Sequence, residues 1–94
     1  GHMLEKQIEQ YLAKKVKNLG GVSLKLTSLI GIPDRLVLLP GGRGAFVELK
    51  APGENPRKIQ LKRMQQLRAL GFKVYVADSY ERVDEVICDV LQTT

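Results

Sequence analysis

The chain has almost no histidine, cysteine or aromatic residue to work with. His2 is the only histidine of the 94 residues. It sits in Gly1-His2-Met3, which reads as a leftover of an expression vector and is set aside. A histidine-ligated metal finger and a histidine general acid are thereby excluded. The single cysteine, Cys88, rules out an internal disulfide framework and a cysteine-rich zinc site. Cys88 falls within an apolar stripe and is expected as a buried small hydrophobe. There are five aromatics, none of them tryptophan, and Phe46, Phe72 and Tyr75 look structural, so little surface is left for stacking bases. No apolar run reaches the length of a membrane span, and no signal peptide is evident. The expectation is one domain over residues 4–94, without a membrane partner and cytoplasmic by default. No glycine-rich phosphate cradle opens a helix, which argues against a nucleotide cofactor.

Acidic residues are also missing from two long stretches. None lies between Glu9 and Asp34, where Lys14, Lys15, Lys17 and Lys25 do. None lies between Glu54 and Asp78, where Arg57, Lys58, Lys62, Arg63, Arg68 and Lys73 do. Acids then crowd the C-terminus, from Asp78 to Asp89, within a net charge of +5. A basic footprint kept apart from an acidic one suits a polyanion. Read alone, it equally suits lysines on solvated helix faces.

Residues 4–19 read as a helix with Ile8, Tyr11, Leu12, Val16 and Leu19 as its stripe, stopped by Gly20-Gly21. Strands are expected over 22–29, 34–39 and 45–50, and a second helix over 57–70 with Ile59, Leu61, Met64, Leu67 and Leu70 on its apolar side. A strand follows over 72–77. A last helix, capped by Asp78 or Ser79, carries Val83, Val86, Ile87, Val90 and Leu91. The order is αβββαβα, an α/β domain whose helical crossover places the last two strands parallel.

The chemistry concentrates around the second and third strands. Asp34 follows Pro33, and Glu48-Leu49-Lys50 comes fourteen residues later, across the turn Pro40-Gly-Gly-Arg-Gly44. Glu48 and Lys50 are two apart on one strand and share a face. A turn centred on Gly42 puts Asp34 on that face too. Two carboxylates with room for water suit Mg²⁺ or Mn²⁺. A nearby lysine can position a water or stabilise developing negative charge. The bland alternatives are a turn-forming aspartate after proline and a Glu48–Lys50 pair on a wet strand face. Against them, Phe46 shares the face of Glu48, and a half-buried carboxylate needs a partner.

The ordered set Gly31-Ile-Pro-Asp34, Phe46-Val-Glu-Leu-Lys-Ala-Pro-Gly53, Pro56, Gln60 and Leu70-Gly71 resembles the PD-(D/E)xK nuclease superfamily. More closely it resembles the stand-alone VRR-NUC domains of phages and bacteria. The resemblance covers nearly the whole chain and implies a restriction-endonuclease-like core, a small mixed sheet flanked by helices. It implies Asp34 and Glu48 as metal ligands, the carbonyl of Leu49 as a further ligand, and Lys50 as the catalytic lysine. It also implies a glutamate from the first helix. Glu5 and Glu9 share one face there and the sequence does not choose between them, with a slight lean to Glu5. Gln60 could orient water, Lys50 or a phosphate, or be a plain exposed helix residue. Arg57, Lys58, Lys62 and Arg63, helped by Arg35 and Arg43, are expected to touch phosphates rather than bases. The expected activity is metal-dependent, structure-selective cleavage of DNA. The family's likeness extends to repair nucleases and Holliday junction resolvases, and a homodimer would suit a two-fold symmetric junction. The competing reading is a non-catalytic nucleic-acid-binding domain that keeps the fold, against which the intact Asp34, Glu48 and Lys50 speak.

Overall fold

A computed structural model describes residues 4–93. Gly1-His2-Met3, read as a vector leftover, and Thr94 lie outside the described residues. The elements are α1 (Glu5–Asn18), β1 (Val22–Lys25), β2 (Arg35–Leu39), β3 (Arg43–Leu49), α2 (Lys58–Ala69), β4 (Val74–Ala77) and α3 (Tyr80–Gln92). The order and fold class match the expectation. One four-stranded sheet runs β1-β2-β3-β4, antiparallel except for the parallel pair β3–β4.

Strand periodicity divides the sheet into two unlike faces. On one, Val37, Leu39, Ala45, Val47, Leu49 and Ala77 are buried against Ile8, Leu12 and Val16 of α1 and Val83, Val86, Ile87 and Val90 of α3. These helix residues recur every three or four positions, the spacing that puts one stripe on a sheet. The other face carries Leu36, Leu38, Phe46 and Glu48. There Met64 and Val74 are buried apart from the main core, where α2 lies against β4.

Three expectations change. β1 ends at Lys25 rather than Leu29: after Leu26 N–H donates to Asp34 O (2.9 Å), the chain leaves the sheet as a loop. On α2, Gln60 and Met64 are buried while Leu61 and Leu70 are 49% and 73% exposed. Ile59 and Leu61 are two apart on a helix and cannot share a face. Cys88 is exposed, because it sits one residue, about 100° of helix, beyond Ile87 at the edge of the stripe. The remaining boundaries shift by one or two residues. Ser79, not Asp78, caps α3, its Oγ accepting from Arg82 N–H at 3.0 Å.

Candidate active site

The hairpin sets the site's geometry. Its last pair is Leu39 with Arg43, so the turn is centred on Gly41 rather than Gly42. Gly41 and Gly42 both take positive φ (86° and 72°), which a side chain would resist. Continuing the register from Arg35–Val47 by one step puts Asp34 opposite Glu48. The centre differs from the expectation by a whole residue, so the faces are unchanged, and Asp34, Glu48 and Lys50 converge.

Their contacts are direct. Glu48 Oε1 accepts from Asp34 N–H at 3.2 Å, and Asp34 Oδ2 accepts from Leu49 N–H at 2.8 Å. Lys50 Nζ stands 3.5 Å from Glu48 Oε2. Lys50 N–H donates to Ala77 O at 3.0 Å, which fixes this end of β3 to the carboxyl end of β4. Glu48 is 1% exposed, and its Oε2 is buried without a hydrogen-bond partner. Burial raises the Glu48 pKa to about 7, and the adjoining Asp34 carboxylate adds to the rise while Lys50 opposes it. A buried carboxylate oxygen with no hydrogen bond is costly and marks a position for a ligand.

Glu5, at the first turn of α1, joins the group electrostatically. Its pKa is raised first by burial and then by Asp34, with Lys50 opposing. Glu9 goes elsewhere: its Oε2 accepts from Arg35 Nε at 2.8 Å, with both side chains largely covered. Arg35 also donates to Ser23 O at 3.2 Å. The pair therefore straps α1 to β1 and β2, and Arg35 is not free for a phosphate. Arg43 lies at the opposite end of β3, about 17 Å along the strand from Glu48, where it donates to Thr93 O at 3.0 Å.

Gln60 is buried rather than exposed, and its Oε1 accepts from Arg57 N–H at 2.7 Å. It thus caps the start of α2 at the third helical position. Arg57, Lys58 and Lys62 stand exposed along the same helix. Arg63 is half-buried and donates to Ile30 O at 3.1 Å.

Two acids near the site were not singled out from the sequence. Asp78 Oδ2 accepts from Gly53 N–H at 3.2 Å and holds the 51–56 loop beside Lys50. Glu54, in that loop, contributes to the field at Glu5. The signal for both was the parallel β3–β4 pair, whose carboxyl ends share one edge of the sheet. Among the described residues, no three His, Cys, Asp or Glu side chains close into a ready-made cation cage. Nor is any helix of the described residues long and apolar enough to cross a membrane.

Comparison with known proteins places the chain. No protein-family profile matches the chain. It is 47% identical over 79 residues to "Putative nuclease p44" of Acyrthosiphon pisum secondary endosymbiont phage 1, an alignment spanning 82% of this chain and 85% of that protein. Among solved structures, a "VRR_NUC domain" superposes with a TM-score of 0.83 at 35% identity, covering 88% of this chain and 92% of that one. Relatives this similar over this much of the chain, joined to the Asp34–Glu48–Lys50 cluster, show that the protein belongs to the VRR-NUC family of nucleases.

Proposed function

We propose that the protein is an endodeoxyribonuclease that uses Mg²⁺ or Mn²⁺, prefers branched DNA such as a four-way junction, and acts as a homodimer. The observation that carries the reading is the buried Oε2 of Glu48, which accepts no hydrogen bond and has Lys50 Nζ 3.5 Å away, in a side chain adjoining Asp34. Paired carboxylates fit Mg²⁺, which keeps several waters and takes one or two protein carboxylates together with a substrate phosphate. Asp34, Glu48 and the carbonyl of Leu49 would hold the ion, with Glu5 assisting. When bound, the ion would lower the pKa of a water and neutralise charge on the scissile phosphate.

The chain's own groups do the rest. Asp34 is held by the Leu49 N–H, so its carboxylate is oriented before any ligand arrives. Lys50, 11% exposed at its side chain, keeps an ammonium at the edge of the carboxylate pair. From there Nζ orients the attacking water and stabilises the negative charge that grows on the phosphoryl oxygens. The hydrogen bond from Gly53 to Asp78 holds the loop that follows Lys50, limiting its wander. Arg57, Lys58 and Lys62 take flanking phosphates and give binding that is salt-sensitive and poor in sequence preference.

Support for a second copy comes from the thinly covered sheet face. Val22, Leu24, Leu38 and Phe72 are 53%, 41%, 42% and 55% exposed there. Leu38 and Phe72 line a cavity of about 670 Å³ together with Leu36 and Phe46. Apolar side chains contiguous on a sheet mark an interaction surface. A two-fold dimer would offer two sites to a two-fold junction.

The test is cleavage of a labelled four-way junction beside its linear arms, with Mg²⁺ or Mn²⁺ and with Glu48→Ala as control. Paired symmetric nicks in the junction, absent in Glu48→Ala, are expected. Equal cutting of junction and duplex would remove the structure preference. Binding without cutting by the intact protein would leave a non-catalytic DNA-binding domain. Sedimentation velocity would report the dimer directly.

A further inference from the structure

The loop between β1 and β2 has an unusual tip. Thr27-Ser28 is followed by Leu29 and Ile30, 48% and 76% exposed, and Ile30 is the most exposed large hydrophobic residue among the described ones. Water-facing apolar side chains at a loop tip contribute nothing to the core. This tip is nevertheless held firmly. Ile30 O accepts from Arg63 Nε at 3.1 Å, and Ile32 N–H donates to Leu29 O at 3.1 Å. Gly31, at φ +83°, packs so closely on Ile59 of α2 that a Cβ there would lie 2.8 Å from Ile59 Cγ1 and O. The chain thus fixes a pair of bare apolar side chains to the basic helix.

Their surroundings say what they meet. The loop and α2 both belong to the two acid-free stretches, 10–33 and 55–77. Ile30 is four residues from Asp34, so the chain can separate their Cα atoms by at most ~14 Å. That is about four base-pair steps of a duplex. An apolar point tied to the basic helix through Arg63, this near the Asp34–Glu48 carboxylate pair, matches a side chain that enters a base stack while cations of that helix hold phosphates.

We propose that Leu29 and Ile30 form a wedge that inserts between stacked bases beside the scissile phosphate and opens that step. The wedge rests on the reading of this site as a DNA nuclease. It supplies a physical source of structure preference: a step at a branch point or nick is already weakly stacked and yields easily, whereas one inside a continuous duplex resists.

The experiment places 2-aminopurine at successive positions near the cleavage site of a branched DNA and reads its fluorescence on binding in Ca²⁺, without cleavage. The intact protein should raise the signal at one step. Leu29→Ala/Ile30→Ala should bind without raising it, and Ile30→Leu should behave as the parent. In Mg²⁺ the double variant should cut the fully paired branch on the order of 10- to 100-fold more slowly, the scale of one lost unstacking contribution. A mismatch at the same step should restore its rate. An unchanged fluorescence rise in the double variant, or equal slowing on mismatched and paired DNA, would overturn the wedge. So would a switch from dimer to monomer in the double variant, which would make the tip a contact between copies. A fluorescence rise in Ca²⁺ with no cleavage in Mg²⁺ or Mn²⁺ would uphold the wedge and overturn the nuclease reading instead.

Discussion

Glu48→Gln keeps the size of a side chain that is 1% exposed while deleting its ability to ionise. In the metal-free protein the Glu48 pKa is raised from 4.5 to about 7, chiefly by burial. The sign follows from linkage. The folded state holds the proton more tightly than the unfolded chain does, so the protonated carboxyl's contribution is fully present below about pH 4.5. It is lost as pH rises through about 7. At about 1.4 kcal/mol per pH unit, the loss reaches ~3 kcal/mol by pH 8. Glutamine has no such loss. In urea with EDTA, the stability of Glu48→Gln minus that of the parent should therefore grow by ~3 kcal/mol between pH 4.5 and pH 8. With slopes of roughly 1–3 kcal/mol/M, that is a relative midpoint shift of roughly 1–3 M. Using the difference between the two proteins cancels the titrating groups that lie away from Glu48. Saturating Mg²⁺ at pH 8 should then stabilise the parent, by ~2.7 kcal/mol at a hundredfold excess over Kd, and leave the variant almost unmoved. A difference that stays flat from pH 4.5 to 8 would refute the reasoning, because it would mean that Glu48 is solvated or already compensated in the folded protein.

Three further outcomes are expected. Lys50→Met should lower cleavage by about 10²–10⁴-fold while leaving junction binding within a few-fold, as gel shift and single-turnover assays would show. The two helix glutamates should separate: Glu5→Gln should slow cleavage with little change in stability, whereas Glu9→Ala should cost ~1–3 kcal/mol in denaturation because Arg35 Nε is left largely covered without its acceptor. Lys58→Ala and Lys62→Ala should each lower affinity for all DNA shapes alike and flatten the plot of log K against log salt by about one unit per lost phosphate contact.

Strand chemistry was the most legible part of the molecule. Glu48 and Lys50 are two apart, and a hairpin of either plausible centre keeps Asp34 on their side, so short-range periodicity sufficed. The choice between Glu5 and Glu9 was not legible. The two are equivalent on a helix and are told apart only by Arg35, 26 residues further on, which takes Glu9. Gln60 was visible as a position but not as a cap, because its partner is the backbone of Arg57 rather than a side chain. The apolar count of α2 misled, since a helix lying over one edge of a small sheet buries little beyond Met64 and Gln60. Charge density likewise said nothing about Arg43, which is tied to Thr93 at the far end of β3.

The turn at Pro40-Gly41-Gly42 has a consequence for how such chains can vary. Directly opposed residues on β2 and β3 always share a face, so pairing depends only on whether the two residue numbers sum to an even or an odd value. Adding or removing two residues in the turn slides one strand past the other but returns Asp34 to the side of Glu48. Adding one residue sends Asp34 to the opposite side, into the layer filled by Val37, Val47 and the α1 and α3 stripes. Viable length changes at this remote hairpin should therefore come in twos, a counting rule imposed on a loop at the far end of β3 from Asp34 and Glu48.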